Sequence, residues 1–150
     1  MDAVVLGAGE GEAHTVGASF IAVKATGADT DGTLFLSESE IEAGFPGPPP
    51  HVHERLHDMF FVLDGTLTLR LGEETIEAAP RTFVCVPPGV RHTFSNRTDQ
   101  RVRFLNFNTP SGWEGYMRDL GAAFAADEPP TPEAIGRIAA RYDFKVADSP

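Results

Sequence analysis

The sequence predicts an all-β fold, a sandwich or barrel of short strands, followed by two short C-terminal helices. Three observations carry that expectation. Between Ser19 and Phe107 the chain runs as short β-leaning segments separated by Gly, Pro, Asp and Asn. Helical periods are scarce over the same span. Beyond Pro110 the pattern changes to apolar residues recurring at i, i+3, i+4 and i+7. At 150 residues and 16.1 kDa the length suits one domain, residues 1–150, with the β body at about 19–108 and the helical tail at about 111–142.

The N-terminal "MDAVVLGAGEGEAH" has no basic n-region and only a short apolar run, so a secretory signal is not expected, and no later stretch has the apolar length of a membrane span. Gly7, Gly9 and Gly11 lack the spacing of a nucleotide-binding loop and read as a flexible turn. The strands follow in order: "SFIAVKA", "TLFLSESEI", "MFFVLDG", "TLTLRL", "ETIEAA", "TFVCV", "HTFSN" and "RVRFLNF". Asp64-Gly65 and the loop holding Gly72 each join two alternating runs, which reads locally as a meander. Cys85, between Val84 and Val86, reads as a buried and inert thiol. In the tail, Ser111 is placed to cap a helix whose apolar stripe is Trp113, Tyr116, Met117 and Leu120. Thr131 and Pro132 then open a second helix, with Ile135, Ile138, Ala139 and Tyr142 on one face.

Charge and cysteine content narrow the partners. A net charge of −10 repels phosphate backbones and anionic membranes, so neither nucleic acid nor a membrane surface is expected as a partner. The single cysteine excludes an intramolecular disulfide and any CxxC zinc site, and fits a reducing cytoplasm. Exposed strand edges and a second apolar sheet face predict a homodimer.

The chemistry-bearing residues concentrate in two proline-led stretches. In "PPPHVHERLHDMFFVLDG", His51 and His53 are two apart, so on an extended segment both rings face one side, with Cα atoms about 6.6 Å apart. The prolines before them favour that extension. His57 or Asp58 can add a third donor. Being adjacent, they face opposite ways on a strand, and both faces that follow are apolar, so periodicity does not choose between them. His92 lies in "VPPGVRHTFSN", far enough along for two or three strands to return it to the same region. Phe60 shares the parity of Asp58 and Phe94 that of His92, which makes these two rings candidates for a substrate-facing wall.

Taken together, "GPPPHVHERLHDMFFVLDG" and "PPGVRHTFSN" resemble the two signature motifs of the cupin superfamily. Gly47 or its proline neighbours open the first, His51 and His53 match its histidines, and Gly65 its closing glycine, with Asp58 where the family carries glutamate. Pro87, Gly89, His92 and Asn96 match the second, whose opening glycine is replaced by Arg81, a change that bears on turn geometry. The tail is similar to that of small quercetin-dioxygenase-like cupins. The resemblance implies a jelly-roll barrel around one divalent transition metal, Fe, Mn, Ni, Co, Cu or Zn, held by His51, His53, His92 and Asp58, with His57 as the alternative to Asp58. It further implies a dioxygenase acting on a small aromatic, flavonol-like or polyketide-like substrate, with Asp58 as fourth ligand or general base. A redox-silent cyclase, isomerase or lyase and a non-catalytic ligand-binding cupin are the alternatives.

Overall fold

The computed structural model describes residues 2–147. The strands are β1 (Glu12–Val16), β2 (Ser19–Ala25), β3 (Phe35–Ile41), β4 (His51–Val52), β5 (His57–Asp64), β6 (Leu67–Leu71), β7 (Glu74–Ala78), β8 (Phe83–Val86), β9 (His92–Ser95), β10 (Val102–Thr109) and β11 (Lys145–Val146). The helices are α1 (Gly27–Thr30), α2 (Trp113–Phe124) and α3 (Pro132–Ala139). Two antiparallel sheets form a jelly roll, one in the order β1-β2-β3-β10-β5-β8 and the other β11-β4-β9-β6-β7.

The strand code explains the packing. Along β5, Asp58, Phe60 and Val62 are buried while the residues between them are partly exposed, the period-two signature of a strand with one covered face. Phe60, Val62, Leu67, Leu69, Val86, Val102 and Phe104 fill the space between the sheets. A second core lies where Tyr116, Met117 and Leu120 of α2 and Ile138 of α3 cover Ile21, Val23 and Phe35. Helix α2 sits close on β1 because Gly121 has no side chain: a Cβ there would stand 2.6 Å from His14 Nδ1.

Several local expectations need correction. Glycine at the Asp64-Gly65 turn, with φ 78°, does not close a hairpin. β5 belongs to one sheet and β6 to the other, so the chain turns a corner there and the meander holds only for β6 and β7. A jelly roll requires such crossings because consecutive strands must clothe both sides of the core. Ser111 does not cap α2. The N-cap is Gly112, without a side-chain bond, and Ser111 instead packs against Gly27 while its N–H donates to the Gly32 carbonyl. Thr131 does cap α3, accepting from the Ala134 N–H, with Pro132 in the first turn. β1, in the stretch before Ser19 that carried no strand signal, pairs with β2 despite a mostly exposed, polar sequence.

Cys85 is exposed, not buried. Val84 and Val86 take the inner positions of β8, so alternation turns the thiol outward beside Phe83, which is 54% exposed. One equivalent of Ellman's reagent is therefore expected to react with the native protein without denaturant. Reaction only after unfolding would contradict this placement.

Arg81 has φ 70°, the left-handed region that favours glycine, so the residue that departs from the second motif keeps the backbone turn of the glycine it replaces. Gly47 is fixed by crowding as well as by its φ of 83°: a Cβ there would fall 1.8 Å from the Phe94 carbonyl oxygen. No helix among the described residues is long and apolar enough to cross a membrane.

Candidate metal centre

His51 and His53 enter the interior from β4 and the residue after it, and His92 from β9. His51 and His92 are register partners, so their imidazoles are set side by side by the strand pairing itself, with ring centroids 4.5 Å apart. Asp58 enters from β5 in the opposite sheet. The four side chains are buried, and each offers a donor atom within 4.8 Å of the others. His57 is exposed, because the parity that turns Asp58 inward turns its neighbour out, so it does not join the cluster.

All three rings are oriented by their other nitrogen. His51 Nδ1 donates to the Pro49 carbonyl at 2.8 Å, His92 Nδ1 to the Val90 carbonyl at 2.9 Å, and His53 Nδ1 to the Asp143 carbonyl. A carbonyl can only accept, so each Nδ1 carries a proton and each Nε2 is left for the interior. Proline helps here. With no N–H to engage, the run Pro48–Pro50 presents carbonyls to Thr93, His51 and Ala147.

Asp58 is held from behind. Its Oδ1 accepts from the side-chain amides of Asn106 and Asn108, each at 2.8 Å, and its Oδ2 lies 2.9 Å from His92 Nε2 and 3.5 Å from His53 Nε2. Asn108 is its direct register partner on β10. Burial alone would raise the Asp58 pKa, but the hydrogen bonds from His53 and His92 and their charge hold it far below the usual carboxylate range. Burial, with the neighbouring rings of His92 and His53, pushes His51 down to about 3 and keeps it neutral. Burial also pulls on His53, but Asp58 and then Asp143 outweigh it and leave its pKa raised. Three neutral-capable imidazoles and one ionised carboxylate, closed off from water and braced by outer hydrogen bonds, are the donor set that suits a first-row divalent metal.

An aromatic group covers this cluster from the tail. The Phe144 ring stacks on His51 at 4.3 Å, Trp113 meets His53 edge-on at 5.3 Å, and Trp113 stacks on Tyr116 at 4.4 Å. Phe60, by contrast, is wholly buried and packed against Phe94 and Phe104. Phe94 is partly buried and also stacks on Phe45. Asn96, aligned with the closing residue of the second motif, is buried and bonds the carbonyls of Glu42 and Gln100, which pins the loop after β9.

Sequence reasoning did not reach Asn106, Asn108, Asp143 or Phe144. The two asparagines left a signal, since "LNFNT" sets polar amides at alternate positions of an otherwise apolar strand. Asp143 and Phe144 left none, because their partners lie about 90 residues away.

The chain matches the family described as the cupin domain over residues 37–108. Residues 37–108 are thus a cupin domain, the class that this jelly roll and its inward-facing histidines define. Within that class the chain resembles the quercetin-dioxygenase-like cupins. It is 32% identical over 105 residues to the quercetin 2,3-dioxygenase of Bacillus subtilis (strain 168), a match that covers 69% of this chain but only 30% of that enzyme. The solved polyketide cyclase RemF from Streptomyces resistomycificus has 25% identity and a TM-score of 0.56, covering 69% of this chain and 70% of that one. A cupin sugar phosphate isomerase from Silicibacter pomeroyi, at 19% identity and TM-score 0.60 over 70% of this chain and 74% of its own, shares the fold.

Proposed function

We propose that the chain is a metal-dependent cupin enzyme, a dioxygenase acting on a small aromatic, flavonol-like or polyketide-like molecule. The observation that carries the proposal is the convergence of His51, His53, His92 and Asp58 in one buried cluster whose three Nδ1 atoms are all tied to backbone carbonyls. One divalent ion of iron, manganese, nickel, cobalt, copper or zinc held there supplies Lewis acidity toward a substrate oxygen and, where redox-active, access to O2. The likeness to quercetin 2,3-dioxygenase favours the oxidative reading.

The remaining work falls to protein groups. Asp58, ionised and anchored through Oδ1, offers Oδ2 as fourth ligand or as the base that takes a substrate hydroxyl proton. Phe144, flat on His51, and Trp113, edge-on to His53, give the site an aromatic lining, while Phe60 and Phe94 form the apolar wall further along the barrel. The outer face that carries Phe83, Cys85 and Phe107 supports assembly as a homodimer, and the free thiol fits a reducing cytoplasm.

The likeness to RemF favours a second reading, a redox-silent polyketide cyclase on the same four residues. Metal analysis of the purified protein with O2-consumption assays on flavonols and diketones separates the two. A redox-active metal with O2 uptake is the expected result, and zinc without uptake gives the cyclase. A protein that holds no metal at neutral pH and melts unchanged with chelator overturns both. Gel filtration at the mass of a monomer refutes the dimer.

A further inference from the structure

The segment from Asp143 to Ala147 runs back across the strand that carries the histidine pair. β11 pairs with β4, setting Lys145 opposite Val52 and Val146 opposite His51, and the Ala147 N–H donates to the Pro50 carbonyl at 2.9 Å. Phe144 lies on the His51 ring. Asp143 makes the most specific contacts. Its carboxylate accepts from three successive backbone N–H groups, Glu54 at 2.6 Å, Arg55 at 2.8 Å and Leu56 at 2.9 Å, while its carbonyl takes the Nδ1 proton of His53.

The three imidazoles differ in how they are held. His51 and His92 find their carbonyl partner two residues back, at Pro49 and Val90 just ahead of their own strands, so each brings its brace with it. His53 has no such local partner and borrows one from a residue 90 positions away. The turn that Asp143 clamps, Glu54–Leu56, is also the turn that separates His53 from Asp58. One residue thus sets the ring of one candidate ligand and the chain that delivers the next.

We propose that Asp143 is the positioning residue of the metal centre: it fixes His53 with Nε2 toward the cluster and sets the His53-to-Asp58 turn, so that the site is complete only when the C-terminal segment is docked. This rests on the reading of the four-residue cluster as a metal site. A purely structural anchor would stabilise the fold without changing how an ion is bound. A positioning residue changes both affinity and ligand field.

Co(II) is the probe, added to metal-free full-length protein and followed by its visible bands, alongside melting curves and the exchange of the His53 Nδ1 proton by NMR. Asp143→Ala keeps the carbonyl but removes the carboxylate clamp that holds it in place, and is expected to weaken Co(II) binding about 10- to 100-fold, to alter the visible spectrum and to reduce protection of that proton. Asp143→Asn, which keeps one acceptor oxygen, should fall between it and the wild type, and serves if the alanine variant does not fold. Tyr142→Phe removes the 2.5 Å bond from Tyr142 Oη to Asp119 and so loosens the tail without touching the ligand turn. It should lower the melting temperature and leave the Co(II) spectrum unchanged. The proposal is overturned if Asp143→Ala binds Co(II) with wild-type affinity and spectrum, or if Tyr142→Phe weakens Co(II) equally at the same loss of melting temperature. If wild-type protein takes up no Co(II) while its His53 proton is protected, the metal reading itself fails, and the positioning role falls with it.

Discussion

Asp58→Ala is expected to lower divalent-metal affinity at least tenfold and to reduce turnover to background, while His57→Ala changes neither. The difference follows from strand parity, which buries one carboxylate among three imidazoles and leaves the adjacent ring in solvent. Loss of Asp58 also strands the amide of buried Asn108, worth about 1–3 kcal/mol when unpaired, while Asn106 keeps its bond to the Met59 carbonyl. Calorimetric metal titration and melting curves on both variants test this. A His57→Ala protein that loses its metal while Asp58→Ala keeps it would reverse the assignment.

The same pair fixes a pH signature for metal-free protein. The His53 pKa is raised, so its contribution to stability is fully present below about 6.5 and is lost as pH rises through its higher folded value. Asp58 acts oppositely: its lowered pKa contributes above about 3.8, and that contribution is lost as pH falls toward its depressed folded value. Melting curves in chelator from pH 5 to 9 should therefore show the His53 contribution to wild-type stability being lost as pH rises above about 6.5. In Asp58→Ala this slope should largely disappear, because the group that raises His53 is gone.

The largest effect on stability is expected from Phe60→Ala. The Phe60 ring has no exposed surface, and it packs with centroids 5.5 Å from Phe94 and 6.0 Å from Phe104. Truncation leaves a cavity between the sheets and should cost about 3–5 kcal/mol. For a chain of 150 residues that corresponds to a fall in Tm of roughly 10–15 °C. A change below about 3 °C would mean that the core collapses around the gap. Phe60→Leu should recover most of the loss, since it refills much of the volume.

The β body was legible because its signals are local: short apolar runs such as "MFFVL" and "FVCV", alternation within "TLTLRL", glycine at Gly65 and Gly72, and proline before each histidine stretch. The inward direction of His51, His53 and His92 followed from the same period and from motif spacing. Which of His57 and Asp58 faces inward was not legible. Both parities of β5 are apolar, and the choice is made across the sheet, where Asn108 stands opposite Asp58. Cys85 was misread for a related reason: an apolar neighbourhood in sequence does not say which side of β8 is covered. The docking of Asp143 and Phe144 is a contact between distant segments, formed only after the barrel exists.

The donors come from both halves of the sandwich, three imidazoles from one sheet and the carboxylate with its two amide props from the other. An ion bound among them would act as a rivet through the two layers. Its removal should therefore register far from the chemistry, as faster amide exchange along β9 and β10 together, with the layers freed to slide against each other.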